Sequence, residues 1–351
     1  MKNNNGFERR ATPLIVGAAL LISSITSIAG AAHAAEPSNL FVRIDNDLFT
    51  GTDREYTSGV QLGATSATVE SFEDARFAPG LRWANDKLRW LQPKGFSENN
   101  VTWMIGQRMY TPDDWSLEQP DPHDRPYAGL LFAGLTYNGR DRHSMRSTSL
   151  DVGIVGPSAL AKQAQDFVHD ALGDERFRGW DHQLNDEPVF RILHERFRRW
   201  DIQPARKFAD VTTHFGGSVG NLATFANAGA ELRIGRSLPD NFGTASTLSY
   251  GQNSPPAHWG GAAPSRPAIH GFLAVDARVV LHDITLDGNT FRDSASVDRE
   301  TFAAELALGV ALDWRGWEAT LGATYRTKEY ETQKRESRFG TLAFRRALAR
   351  R

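Results

Sequence analysis

Five polar residues of this chain could together hydrolyse an ester bond. The stretch DNDLFTGTDREYTSG, at 45–59, places Asn46 and Asp47 at the end of an apolar run and Thr57 at the start of the next. Far along the chain, His169 and Glu175 lie six residues apart. An imidazole can activate water near neutral pH. Carboxylates favour a hard cation such as calcium, which polarises a carbonyl. Brought together, these groups suggest metal-assisted ester hydrolysis.

Each of these residues also has an ordinary structural explanation. Asp-x-Asp at the end of a strand commonly forms a turn. A histidine in a loop is commonly a solvated surface residue, and threonine is a good strand former. The residue types alone therefore leave hydrolysis open, and the elements that carry them must bring them to one place.

The first 34 residues predict a secretory signal peptide. Three basic residues precede an apolar run over 13–32, and Ala-His-Ala at 32–34 is a small-residue cleavage pattern. We expect cleavage before Ala35, which leaves 35–351 as the mature, exported domain. That domain contains no cysteine, so a disulfide scaffold is excluded. The net charge of −2 argues against nucleic acid as a partner.

Alternating hydrophobicity predicts that the mature chain is all-β. No apolar run of about 18 residues follows the signal, so no helix is expected to span a membrane. In 317–325 the odd-numbered residues are apolar, with aromatic residues at both ends, as the two interfaces of a membrane barrel require. The predicted strands are 40–48, 56–65, 101–110, 127–137, 149–155, 187–199, 207–219, 225–234, 269–281, 302–313, 316–326 and 338–346.

Twelve alternating strands favour a transmembrane antiparallel β-barrel, since bacterial outer-membrane barrels have an even strand number. A soluble β-sandwich or lipocalin-like barrel is the alternative, because its strands also alternate. The inward rows here carry Glu, Arg and Asp, and a dry core would bury those charges unpaired at several kcal/mol each. We therefore expect a wide barrel with a wet lumen in the bacterial outer membrane.

With a periplasmic N-terminus, the five candidate residues meet at the extracellular rim. The links at 49–55, 111–126, 156–186, 220–224, 282–298 and 328–337 then face outward. The third of these contains a predicted helix at 159–172, capped by Ser158 and ended by Gly173, whose apolar stripe covers the rim or lipid. Two long periplasmic links, 66–100 with a helix-like stretch at 81–91 and 237–268, are interpreted as insertions.

Four stretches in order resemble the lipid A 3′-O-deacylase family of outer-membrane enzymes. They are DNDLFTGTDREYTSGVQLG, DRPYAGLLFAGLTY, GIVGPSALAKQAQDFVHDALG and GWDHQLNDEP. The resemblance runs over nearly all the mature chain and is strongest in its first half. It implies a twelve-stranded barrel that removes the 3′-linked acyloxyacyl chain of lipid A, with calcium as cofactor and a histidine as base.

The resemblance also assigns roles to individual residues. It places the family's Asn-Asp pair on Asn46 and Asp47, its strand hydroxyl on Thr57, its helix histidine on His169 and its acid on Glu175. Asp47 and Glu175 are then the expected calcium ligands. One departure concerns the second outer loop, where family members can carry basic residues.

In this chain that loop is acidic at 113–114. Arg108, His123 or Arg125 are therefore alternative oxyanion donors.

We therefore expect a monomeric, calcium-dependent ester hydrolase acting on lipopolysaccharide in the outer leaflet. A porin or adhesin of the same fold is one alternative. An outer-membrane phospholipase is another, but its His-x-Ser pair is absent: His143 and Ser144 are adjacent and lie in a predicted periplasmic turn.

Overall fold

Twelve strands form one closed barrel. The computed structural model describes residues 37–46, 55–202, 207–244 and 267–348, and only the backbone at 37, 55–57 and 172. The predicted signal peptide lies outside the described residues. The strands are β1 (Pro37–Asn46), β2 (Glu55–Ser66), β3 (Glu98–Thr111), β4 (Ala128–Arg140), β5 (Ser144–Val155), β6 (Glu187–Ile202), β7 (Ala209–Val219), β8 (Ala223–Arg236), β9 (Ala268–Asp283), β10 (Phe302–Trp314), β11 (Trp317–Arg326) and β12 (Ser337–Ala347).

Every strand pairs antiparallel with its sequence neighbours, and β1 closes the barrel by pairing with β12 from Asn39↔Ala347 to Asn46↔Gly340. The predicted fold class and strand count are confirmed. Closure pairs both edges of the sheet, which removes the unpaired backbone groups that lipid cannot satisfy.

The two predicted faces of the strands are also confirmed. In β10, Leu308 and Val310 are exposed on the outer wall, whereas Glu305 and Asp313 are buried on the lumen side. The exposed apolar band is the surface that a bilayer covers in a membrane barrel.

Many of the charged side chains that the structure describes in the lumen form ion pairs. Arg326 contacts Glu305 at 2.8 Å and Glu329 at 3.1 Å, and Arg278 contacts the same Glu305 at 3.1 Å. Further buried pairs join Arg191 to Asp151, Arg233 to Asp210 and Arg345 to Glu318. Pairing offsets the desolvation of the charges, which is why the inward rows can be so polar.

The barrel has two distinct ends. The loop end carries the connections 47–54, 112–127, 156–186, 220–222, 284–301 and 327–336. The termini end carries the first and last described strand ends and the connections 67–97, 141–143, 203–208, 237–267 and 315–316. The helices are α1 (Pro79–Lys87), α2 (Ala161–Leu172) and α3 (Ile284–Asp287), with 3-10 turns at Arg89–Leu91, Pro157–Ala159 and Gly179–His182. Among the described residues, none of these helices combines the length and apolarity needed to cross a bilayer.

The two long connections at the termini end lie on opposite sides of the wall. Segment 67–97 packs against the outside of β3 and β4 and contains the helix predicted near 81–91. Residues 238–244 turn into the lumen instead, where Thr244 donates to Glu231 and Arg199 donates to the Asn241 carbonyl. The remainder of the second connection, 245–266, lies outside the described residues.

Candidate functional site

Helix α2 lies at the loop end and packs on the outside of β3 and β4. It ends where predicted, because Gly173 adopts φ 75°, the left-handed conformation that commonly follows a helix. The predicted cap at Ser158 is wrong. The amide and hydroxyl of Ser158 donate instead to Asp186, at 2.8 and 2.7 Å, within a separate 3-10 turn.

The buried face of α2 is not the apolar stripe that the sequence led us to expect. Ala161, Gln165 and His169, spaced four residues apart, are buried against the barrel. Leu160, Phe167 and Val168 are exposed on the side facing away from the wall. The helix thus presents a mixed face to the protein, and its exposed surface has an apolar side beside the polar Gln163 and Asp170, as an amphipathic helix at a lipid boundary does.

The ring of His169 is held in one orientation by the chain that follows the helix. Its Nδ1 lies 2.6 Å from the carbonyl oxygen of Glu175. A carbonyl only accepts hydrogen bonds, so Nδ1 carries the hydrogen and Nε2 is the basic nitrogen. An ion pair between Arg176 and Asp170 closes the same short loop and lowers the pKa of the Asp170 carboxyl.

Aromatic side chains surround the imidazole. The ring of Phe177 meets His169 edge-on at 5.1 Å and stacks on Trp115 at 5.2 Å. The indole of Trp180 donates to the Gln165 amide oxygen at 2.6 Å. Because Gln165 is one helical turn from His169, this bond fixes the helix that carries the histidine.

The aromatic cluster connects His169 to the first two strands. Phe177 shares its buried cluster with Met109 of β3. Met109 pairs with Ser58 of β2, and Ser58 pairs with Asn46 of β1. The structure therefore places the histidine and the half-buried Asn46 at the same end of the barrel, although 123 positions separate them in the chain.

The backbone at Thr57 is irregular. Tyr56 pairs with Tyr110 and Ser58 with Met109, so Thr57 is an extra residue in β2. Bulges of this kind occur at barrel rims and next to active sites, where they redirect a side chain. The side chain of Thr57 lies outside the described atoms, and its role stays a prediction.

The proposed metal ligands are only partly described. Asp47 lies outside the described residues, and the Glu175 side chain is exposed while its carbonyl holds His169. Within the described ranges, no group of three or more histidine and acidic side chains is arranged to hold a metal. Carboxylate and amide oxygens at Asp47, Glu175 and Asn46 nevertheless have the chemistry that calcium prefers.

The wall separates two of the suggested oxyanion donors from the histidine. Arg108 lies over the Phe132 ring on the lumen side, and Arg125 lies over Tyr110 and contacts Glu329. His123 is exposed in the second loop, where its carbonyl accepts a bond from Thr332. Lys162 on α2 is on the histidine's side of the wall but pairs with Asp181 at 2.7 Å.

Comparison with known proteins identifies the fold and the family. The model of the family described as "Outer membrane protein LpxR" matches residues 14–348. The chain belongs to the LpxR family. The solved LpxR structure from Salmonella typhimurium aligns with a TM-score of 0.71 at 18% identity, over 89% of this chain and all of that one.

The β-domain of the Bordetella autotransporter Brka covers the same shares of both chains, at 10% identity and a TM-score of 0.44. No curated protein sequence matched.

Membership of the LpxR family confirms the resemblance to lipid A 3′-O-deacylases and supports an outer-membrane location and a role in lipid A deacylation. The residues that the sequence reasoning missed are those that position the histidine: Gln165, Phe177, Trp180 and the Glu175 carbonyl. In the sequence, only the four-residue spacing of 161, 165 and 169 indicated that these residues share one face of the helix. The carbonyl contact has no signal in residue type.

Proposed function

We propose that this chain is a calcium-dependent ester hydrolase that removes the 3′-linked acyloxyacyl chain from lipid A. The observation that carries the proposal is the geometry of His169. A buried imidazole whose Nδ1–H is bound to a carbonyl has the tautomer of a general base, and it lies on the outside of the barrel wall at the loop end.

In this mechanism His169 Nε2 removes a proton from water as the water oxygen attacks the ester carbonyl. The resulting tetrahedral oxyanion collapses, the ester carbon–oxygen bond breaks, and the imidazolium returns its proton to the departing 3′ oxygen. The products are a free carboxylic acid and a 3′-hydroxyl on lipid A. Phe177 and Gln165 position the base without touching the reacting atoms. Thr57 and Asn46 position the ester or the metal shell.

Asp47 and Glu175 are the residues proposed to hold calcium. Bound there, the ion would act as a Lewis acid toward the ester carbonyl oxygen. The acidic side chains contribute binding of the cation, while proton transfer stays with the imidazole.

The outer face of α2 suits a substrate with several acyl chains. Leu160, Phe167 and Val168 are exposed next to the buried histidine, on a helix whose other face is bound to the barrel. We propose that this face forms one wall of the acyl groove at the extracellular surface. Acyl chains already in the leaflet would then contact the site without leaving an apolar medium.

The alternatives have less support. A porin needs an open aqueous lumen. The ion pairs that run from Asp276 through Glu305 to Arg125 are instead buried, so the wet lumen expected from the sequence is not found at their level. A phospholipase using His143 and Ser144 is disfavoured because His143 lies in the turn at the termini end and Ser144 begins β5 beside it, where the Ser144 hydroxyl donates to Asp141 at 2.7 Å.

Mass spectrometry of lipid A from a bacterial host expressing the chain tests the proposal. Wild type should remove a mass equal to one acyloxyacyl group, and His169→Ala should leave lipid A intact while the barrel keeps its heat-modifiable gel migration. His182→Ala, an exposed histidine of the same loop, is the matched control and should act like wild type. Retained activity in His169→Ala would remove the base from the mechanism, and unchanged lipid A with altered permeability would favour a channel.

A further inference from the structure

Segment 67–97 contains a repeat that the proposed reaction does not use. Leu-Arg-Trp occurs at 81–83 and again at 88–90, seven residues apart, in α1 and the 3-10 turn that follows it. Seven residues are close to two helical turns, so like residues of the two copies share a side. Leu81 and Leu88 pack against the barrel, whereas Trp83 and Trp90 are each 67% exposed.

The segment is attached firmly to the outer wall. Asn85 is buried, donates to the Phe72 carbonyl at 2.8 Å and accepts from the Tyr137 hydroxyl at 3.1 Å. Phe72 also meets Tyr137 edge-on at 5.2 Å, and Val69 exchanges backbone hydrogen bonds with Asn99. These contacts hold α1 in a fixed position.

The contacted wall is a surface that would otherwise face lipid. Val101 and Tyr137 lie in the outward phase of β3 and β4, since the alternate residues Thr102 and Thr136 are buried on the lumen side. Val101 is three residues from the termini end of β3. Segment 67–97 therefore covers a part of the outer wall that lipid would cover in a barrel without it.

On other sides of the barrel, the strands themselves carry exposed tryptophans at the termini end. Trp200 near the end of β6, Trp314 at the end of β10 and Trp317 at the start of β11 are all exposed on the outer wall. Tryptophans at this level anchor a membrane protein in the headgroup region. On the β3–β4 side, Trp103 is partly covered by the segment, and Trp83 and Trp90 stand further out.

We propose that the Leu-Arg-Trp repeat is a membrane anchor that binds the phospholipid leaflet at the termini end. The two leucines attach to the barrel, and the two tryptophans enter the headgroup region of that leaflet. Arg82, exposed next to Trp83, keeps its charge at the level of the phosphates, whereas Arg89 pairs with Glu73 at 2.9 Å and with Asp86 at 3.1 Å within the segment. This inference uses no catalytic residue and does not depend on the proposed reaction.

The absence of native cysteine makes a site-specific test direct. Nitroxide labels would be placed at Trp83→Cys and Trp90→Cys in the full chain, reconstituted in phosphatidylethanolamine–phosphatidylglycerol vesicles. Accessibility to oxygen and to a polar nickel complex is then measured by electron paramagnetic resonance. Leu308→Cys on the outer wall is the lipid control, and Glu118→Cys in the second loop is the water control.

The anchor predicts oxygen-to-nickel ratios at 83 and 90 that lie between the two controls, with nickel accessibility several-fold below that at 118. Ratios equal to the water control would overturn the proposal. Water-like ratios that become protected only when an outer-membrane protein extract is added would also overturn it, in favour of a protein partner.

A second measurement covers the case in which a labelled variant fails to insert. Quenching of tryptophan fluorescence by brominated phospholipid should fall when Trp83 and Trp90 are both changed to Phe, because two of nine tryptophans are removed from the headgroup region. Equal quenching of wild type and the double variant would contradict the anchor.

Discussion

Changing Gly129 to Ala should impair deacylation without breaking the barrel. A Cβ at 129 would lie 2.5 Å from the Cβ of Ala161, the first residue of α2. Carbon atoms need about 3.5–4.0 Å, so the start of the helix must move outward by about 1.0–1.5 Å. Since His169 is on the same helix, and a misplacement of about 1 Å can cost ~100-fold in rate, we expect activity to fall by about 10- to 100-fold.

The matched control is Gly271→Ala in β9. There a Cβ would have its nearest neighbours at 3.7 and 4.0 Å, which is ordinary contact. Both variants should give a heat-modifiable barrel, because overpacking costs only about 1–3 kcal/mol. Lipid A mass spectra at several times of expression would measure the rate.

A compensating change tests the cause of the defect. Gly129→Ala combined with Ala161→Gly removes the clashing methyl and should recover most of the activity, less the cost of about 1 kcal/mol for glycine in a helix. Full activity in Gly129→Ala alone, or no recovery in the double variant, would refute the idea that the contact between α2 and β4 sets the position of the base.

Three further predictions concern the site and its surroundings. A calcium chelator should silence the wild type and added calcium should restore it, and Asp47→Asn should weaken this dependence more than folding; chelator-resistant activity would exclude the metal role. Gln165→Leu leaves the Trp180 indole without its hydrogen-bond acceptor, which costs about 1–3 kcal/mol of stability. The variant should therefore have a lower melting temperature and a lower activity than wild type. Gln163→Leu, at an exposed position of the same helix, should change neither. Burial opposes ionisation of Asp287, but hydrogen bonds from His282 and Arg299 outweigh it and lower the Asp287 pKa below its ordinary 3.8. The ionised carboxylate therefore stabilises the fold above that pH. The difference in melting temperature between wild type and Asp287→Asn should shrink as the pH falls below 3.8. A difference that stays constant with pH would contradict this stabilising role.

The barrel could be predicted from the sequence because each strand carries its own signal. Alternation between lipid-facing and lumen-facing residues has a period of two, so it is legible within ten residues and needs no partner strand. Both rows of β11 were assigned correctly for this reason. The pairing of the lumen charges was not predictable, since Arg326 and Arg278 meet Glu305 only after the sheet closes.

The candidate site also has features that the sequence predicted and features that it did not. Residue types and the resemblance identified His169 and Asn46 as candidates, and the strand count alone assigned them to the same rim. Which nitrogen of His169 is basic, and what holds its ring, depend on the Glu175 carbonyl and the Phe177 ring, and no residue pattern encodes a backbone contact.

Local periodicity therefore determined the architecture of this protein and the end of the barrel at which Asn46 and His169 lie. The tertiary structure decided which face of α2 meets the barrel, because burial of Ala161, Gln165 and His169 requires a glycine at 129 and an indole at 180 supplied by other elements. Interactions between distant segments have no period along the chain, and only the folded backbone brings their partners into contact.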